Sequence, residues 1–407
     1  MNSKKTVRDI DVAGKKVLVR VDFNVPIDER TGAITDDSRI KATLPTINYL
    51  IQNQARIILC SHLGRPHGQP AKSLSLALVA DRLSKILRQP VYFAPDCIGP
   101  DVELMVNHLN PGEIILLENL RFHIEEEKND PVFAQALARL ADVYVNDAFG
   151  TSHRFHASIV GIARYLPSVA GLLLEKEITT LGKLLENPSR PFNVLLGGAK
   201  VSDKVRLIEN ILDKVNSIMI GGGMAATFLK AQGYEVGRSL LEDSVDVASR
   251  IMNETKENGV SIILPEDVLV AREINGNAEA EMVPVTKMPP DKQIVDIGFL
   301  TISLFTRELE KSSTVFWNGP MGIYEVPAFS EGTKAIAKAI SELNAVTIVG
   351  GGSTAEILTE LKLVDKMTFV STGGGAALDF LSGGKLPGIE VLEDKVSAEK
   401  LGSRLHD

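Results

Sequence analysis

Four glycine-rich points stand where apolar runs give way to helix-forming ones: Gly197–Gly198 in FNVLLGGAKVSDK, Gly221–Gly223 in SIMIGGGMAATFLK, Gly350–Gly352 in TIVGGGSTAEILTE and Gly373–Gly375 in TFVSTGGGAALDFL. Glycine lets the backbone turn tightly and approach a ligand, and a helix start adds unpaired N–H groups and a positive dipole end, so the pattern suits a phosphate. A ligand-free strand-to-helix turn uses the same residues, but four repeats in one half of the chain favour the anion. Lys200 and Lys204 follow the glycine pair four residues apart, on one face of a starting helix. They read either as a solvated face or as charge for a phosphate, and their place after the glycine pair favours the second. GGAKVSDK is not a Walker A sequence, which needs G-x-x-x-x-G-K-[ST].

The first half carries a different set. Asp22 and Asn24 lie in RVDFNVP, His62 and Arg65 in CSHLGRP, Arg121 in LENLRFH, and Asp147, His153, Arg154 and His156 in NDAFGTSHRFH, while Arg39 opens the helix after the first loop. Each alone is an ordinary surface charge or cap. Together at strand ends they describe a site for a small, multiply anionic substrate, because arginine recognises carboxylate and phosphate bidentately. Two anion sites of different style suggest transfer between two bound anions. Two other readings compete. GGGMAA (Gly221, Gly223, Ala226) and GGGSTA (Gly350, Gly352, Ala355) satisfy the loose dinucleotide fingerprint, but the strand after GGGSTA ends in Ser371 and Thr372 rather than an acid for a ribose. A non-catalytic nucleotide-binding protein would not require the arginines and histidines.

The elements that position these residues are short apolar runs alternating with amphipathic ones: KKVLVRVDF, ARIILCSH, PVYFA, EIILLEN and DVYVNDAF, then FNVLLGG, NSIMIGGG, VSIILP, STVFWNGP, AVTIVGGG and KMTFVST. Continuous apolar strands indicate parallel sheets buried on both faces, with SRIKATLPTINYLIQN and SLALVADRLSKILRQ among the covering helices. The fold expected is α/β, two doubly wound parallel-sheet (Rossmann-like) domains joined by a helical hinge. A helix pattern from Leu172 ends near Asn187, with Pro188 and Pro191 beyond, giving domains at 1–171 and 191–392, a hinge at 172–190 and a tail at 393–407 returning to the first domain.

Composition narrows the partners. The chain has 407 residues, a formal net charge of -8 and two cysteines. The charge argues against nucleic-acid or membrane-surface binding, and Cys60 and Cys97, two and unpatterned, argue against a disulfide framework or a metal site. No signal-like start and no apolar run of roughly 20 residues is seen, so a cytoplasmic location is expected. Nothing in the motifs requires more than one chain, so a monomer is expected.

RVDFNVP, SHLGRP, LENLRF, NDAFGTSHR, GGAKVSDK, GGGMAATFLK, FWNGPMGIYE and STGGGA, in this order and over nearly the whole chain, closely resemble the phosphoglycerate kinase family. The resemblance implies two domains closing on a hinge and transfer of a phosphoryl group from 1,3-bisphosphoglycerate to MgADP, giving 3-phosphoglycerate and MgATP in glycolysis. It implies that Asp22, Phe23, Asn24, Arg39, His62, Leu63, Gly64, Arg65, Arg121 and Arg154 bind the acid substrate. It further places Gly197, Lys200, Lys204, Gly221, Gly298, Asn318, Glu325, Gly351, Gly352, Ser353 and Thr354 at the nucleotide, with Arg39, Lys204, Gly352 and Gly375 in the catalytic set.

One departure concerns the metal. The family usually has Asp, a ligand of nucleotide-bound Mg²⁺, where this chain has Ser353. Serine is a weaker neutral ligand, and Glu356 one turn later can act through water, so weaker MgADP affinity with retained catalysis is expected. A Mg-impaired or non-catalytic nucleotide-binding homologue is the alternative. Phe155 and Phe299 also depart from the family pattern, and both read as packing adjustments. Trp317 reads as strand core.

Overall fold

The structure is a computed structural model that describes residues 4–28, 30–241 and 244–395. The chain divides into two compact units, Met1–Thr179 with Lys385–Asp407, and Thr180–Gly384.

In the first unit, β1 (Lys16–Arg20), β2 (Arg56–Cys60), β3 (Val91–Phe93), β4 (Ile114–Leu116), β5 (Val143–Asn146) and β6 (Ser168–Ala170) form one parallel sheet in the order β3-β4-β2-β1-β5-β6. The central strands are buried on both faces, as their unbroken apolar runs require. Val17, Val19, Ile57 and Leu59 pack against Ile47, Leu50, Val79 and Leu83 from the covering helices. SRIKATLPTINYLIQN folds as two helices, Ser38–Ala42 and Leu44–Gln52. Pro45 accounts for the break, since its ring lacks an N–H and crowds the carbonyl one turn back.

The second unit has β7 (Phe192–Leu196), β8 (Ser217–Ile220), β9 (Ser261–Ile263), β10 (Asp267–Ala271), β11 (Ala280–Pro284), β12 (Gln293–Ile297), β13 (Thr314–Asn318), β14 (Val346–Gly350) and β15 (Phe369–Val370). Six of these strands make a parallel sheet in the order β15-β14-β13-β7-β8-β9. The other three form an antiparallel sheet, β11-β10-β12, that the sequence reading did not anticipate. Leu195, Met219, Val315 and Trp317 pack with Phe305, Leu309, Ile336 and Leu358 in its core. Trp317 is fully buried strand core, its Nε1 donating to Gly319 O at 2.8 Å.

The helix Leu172–Glu186 begins under the carboxylate of Asp147, which accepts from Leu173 N and Leu174 N at 2.9 and 3.2 Å. A Cβ on Gly171 would lie 2.1 Å from that carboxylate, so only glycine lets the cap approach. The second domain was expected to run to 392, yet the chain rejoins the first unit from Lys385. The reason is local: Gly388 N donates to Ser152 O, Asn146 Nδ2 donates to Gly388 O, and Lys5 pairs with Glu393. The tail beyond Lys395 lies outside the described residues.

Candidate active site

In each parallel sheet the chain reverses its strand order beside the first strand, between β1 and β5 in one unit and between β7 and β13 in the other. Ligands of open α/β sheets sit at such switch points, outside the carboxyl ends of the strands.

In the first unit β1 runs into Asp22, Phe23 and Asn24. Asp22 accepts from Arg39 Nη1 at 2.5 Å. Asn24 Oδ1 accepts from Gly64 N, and Phe23 N donates to Ser61 Oγ, which ties the loops after β1 and β2 together. Leu63 exchanges hydrogen bonds with the buried Asn119 amide, and Arg121 Nη1 donates to Gly64 O at 2.7 Å. His62 Nδ1 lies 3.1 Å from Arg20 Nη2. Arginine can only donate, so Nδ1 accepts and the His62 proton sits on Nε2. Burial, and then Arg20, Arg121, Arg154 and Arg39, hold His62 well below the ordinary imidazole range, leaving it neutral.

The same crowding leaves unmet demand. Arg121 Nη2 and Arg154 Nε are buried without a hydrogen-bond partner. Burial and Arg154 lower Arg121 to about 10, which still leaves it charged at neutral pH. Burial, with the neighbouring arginines adding to it, brings His156 to about 3. Buried donors are ordinarily satisfied, so these guanidinium groups describe an anion's place. Arg65 is exposed. The sequence reading passed over Arg20, which is fully buried, donates from Nε to Ser158 Oγ and through it meets Glu126. An arginine inside an otherwise apolar strand was the available signal.

In the second unit a cavity of about 240 Å³ is lined by Gly197, Gly198, Lys200, Lys204, Asn318, Gly351, Gly352, Ser353, Gly374 and Gly375, and also by Ala199, Asp203, Gly319, Pro320 and Leu378. Gly198, Gly351 and Gly374 have φ of 96°, 96° and 50°, so their conformations need glycine. Gly352 and Gly375 do not: a Cβ on either would meet no protein atom within 4 Å. Their missing side chains leave space in the cavity. Gly352 opens the helix Gly352–Glu360, whose first N–H groups lack helical partners. Lys204 Nζ donates to Asn318 Oδ1, and burial lowers Lys204 to about 8 against the opposing pull of Asp203.

A second cavity of about 380 Å³ shares Pro320 and Ser353 with the first and adds Glu325, Tyr324, Lys334, Glu356 and Glu360. The remaining expected nucleotide residues line neither cavity. A Cβ on Gly221 would meet Met321 Sδ at 2.5 Å and one on Gly298 would meet Asp267, so packing explains both glycines. Thr354 is buried and accepts from Gly319 N. Phe155 and Phe299 are 67% and 68% exposed, which rules out the packing role expected for them. Asp203, in GGAKVSDK, also lines the cavity, and nothing in the sequence separates it from an ordinary surface carboxylate.

The cavity side chains that offer oxygen to a cation are the Ser353 hydroxyl and the Asp203 carboxylate, since Asn318 Oδ1 already accepts from Lys204. That set fits Mg²⁺, which keeps much of its coordination from phosphates and water.

One switch point carries arginines with unmet donors and the other a glycine-lined, lysine-bearing cavity, an arrangement suited to two anions. Residues 7–384 match the family model described as Phosphoglycerate kinase. The chain is 54% identical over 398 residues to the phosphoglycerate kinase of Dictyoglomus turgidum, covering 97% of this chain and all of that one. It is 53% identical over 394 residues to that of Pelotomaculum thermopropionicum, with the same coverage. Its structure resembles phosphoglycerate kinase from Coxiella burnetii with TM-score 0.83 and 41% identity, and from Pyrococcus horikoshii OT3 with TM-score 0.84 and 33% identity, each over 95% of this chain and 98% of the other. The chain belongs to the phosphoglycerate kinase family.

Proposed function

We propose that the protein transfers a phosphoryl group reversibly between 1,3-bisphosphoglycerate and MgADP, giving 3-phosphoglycerate and MgATP, with the acid substrate on the first unit and the nucleotide on the second. The observation that carries this assignment is the pairing of buried, unsatisfied Arg121 and Arg154 donors with a cavity left open by Gly352 and Gly375. Arg121, Arg154, Arg65 and the Nε2–H of His62 grip the phosphate end of the acid, while Asp22 and Asn24 take its hydroxyl and carboxyl end. Asp22 also aims Arg39, by their 2.5 Å contact, at the migrating group. The backbone from Gly351 to Thr354 receives the nucleotide phosphates, and Lys200 and Lys204 neutralise them. Glu325 lies in the adjoining cavity, where a ribose would be held. Gly221 and Gly298 enter this reading through the family resemblance alone.

Phosphoryl transfer needs positioning and positive charge rather than a covalent nucleophile. In the reverse direction the attacking carboxylate is already ionised, its pKa lying near ~4, so no general base is required. Bound with the nucleotide, Mg²⁺ would neutralise phosphate charge, and Ser353 and Asp203 are the residues that would hold it. No observation favours a non-catalytic binder. We further propose a cytoplasmic monomer, in keeping with the acidic charge; among the described residues no helix is long and apolar enough to cross a membrane. The test is ADP release from MgATP with and without 3-phosphoglycerate. Release that requires 3-phosphoglycerate and collapses in Arg39→Ala and Lys204→Ala is expected; release indifferent to both substitutions would overturn the assignment.

A further inference from the structure

Away from both anion sites, one cluster brings three different ligating atoms together. Asp96 and Cys97 lie in the loop after edge strand β3, ahead of the helix Pro100–Asn107. His123 follows the 3₁₀ turn Leu120–Phe122, which leaves the neighbouring strand β4. Because β3 and β4 pair in parallel, with Phe93 opposite Leu116, both loops leave the same end of the sheet. A carboxylate oxygen of Asp96, Sγ of Cys97 and a ring nitrogen of His123 all lie within 4.8 Å of one another. His123 Nε2 is 2.7 Å from Asp96 Oδ1, and its ring packs against Phe133 with centroids 5.3 Å apart, which limits its orientation. The Asp96 side chain is 46% exposed whereas Cys97 is buried, so a solvated ion reaches the carboxylate first.

We propose that Asp96, Cys97 and His123 form a binding site for a zinc-type divalent cation, with a fourth position left to water. Oxygen, thiolate sulfur and imidazole nitrogen make the mixed donor set that suits Zn²⁺, whereas Mg²⁺ prefers oxygen alone and does not compete. Tetrahedral bonds of about 2.0–2.3 Å keep ligand atoms roughly 3.3–3.7 Å apart, so side-chain rotations of about 1 Å close the cluster and release Asp96 from its contact with His123. Cys97 binds as thiolate, its proton passing to solvent, and His123 binds as neutral imidazole. The bound ion ties the loop after the edge strand to the loop after its neighbour, and so stabilises the folded chain. The competing account of the same atoms is an Asp96–His123 ion pair beside an inert thiol.

The full-length protein, stripped with a chelator, is titrated with Co²⁺ as the optical probe. The expected result is a thiolate-to-cobalt absorption band with intense four-coordinate visible bands, displaced by stoichiometric Zn²⁺. The band disappears in Cys97→Ser and survives in Cys60→Ala. In Asp96→Asn, which alters a half-buried carboxylate outside both anion sites, zinc affinity falls by about 10–100-fold while phosphoryl transfer is unchanged. If Cys97→Ser fails to fold, zinc protection of Cys97 against alkylation in the wild type decides the same point. A spectrum of hydrated six-coordinate cobalt, no protection by zinc, or undiminished zinc affinity in Asp96→Asn overturns the proposal.

Discussion

Where the first unit ends β1 and β2 in Asp22 and His62 and follows β4 with Arg121, all held by neighbours, the second ends β7, β14 and β15 near glycines that leave space. On the proposed assignment, one switch point would recognise an anion with side chains, the other mainly with backbone. The difference follows from chemistry. A short acid with charge at both ends calls for several bidentate donors aimed from different loops, whereas a phosphate chain can lie along a helix start if no Cβ intervenes. The two sites should therefore break in opposite ways, one by losing atoms and the other by gaining them.

The largest effect is expected at Lys204, which adds a buried charge to the backbone site: Lys204→Ala should lower kcat by about 10²–10³, as loss of one preorganised charge-stabilising group typically does. Steady-state kinetics at saturating nucleotide check this. Next comes Arg154→Ala. Removing a charged hydrogen-bond donor, worth about 1.5–3 kcal/mol, should weaken 3-phosphoglycerate binding by roughly 10–100-fold.

A smaller effect comes from pH. Lys204 is lowered to about 8 in the folded state, so the charge offered to the nucleotide is lost as pH rises through that value. ADP affinity should decline above about pH 8, and Lys204→Arg, which stays charged, should remove that decline. The stability consequence has the other sign: between the folded value and the ordinary lysine value of 10.5 the unfolded chain binds more protons, so stability without ligand rises with pH across that window. The smallest change is at Ser353→Asp, which should tighten MgADP severalfold and lower the Mg²⁺ needed for half-maximal rate; an unchanged magnesium dependence would remove Ser353 from the account.

How much of this was readable in the sequence depended on burial. Strands of the parallel sheets announce themselves because burial on both faces leaves little but apolar residues, as in β7 and β13. The antiparallel sheet was missed because β11 is almost wholly exposed, its AEMVP carrying neither an apolar run nor a clean alternation. The three-residue β6 was too short to register. At the sites, residues that present charge at strand ends were legible, whereas those acting through others were not. Arg20 sets the His62 tautomer from within a strand, and Asn119 joins two loops through backbone contacts that no local pattern records. The glycines were found as a class, but only the space around each separates Gly352 and Gly375, with room for a ligand, from Gly221 and Gly298, which packing fixes.

The most direct test measures 3-phosphoglycerate and ADP binding separately, by calorimetry, to Arg154→Ala and Gly352→Ala. The account predicts that Arg154→Ala loses affinity for 3-phosphoglycerate and keeps it for ADP. Gly352→Ala should do the reverse while melting no lower than the wild type, since a Cβ there meets no protein atom within 4 Å. Undiminished ADP binding by Gly352→Ala, or loss of both ligands in either variant, would contradict it.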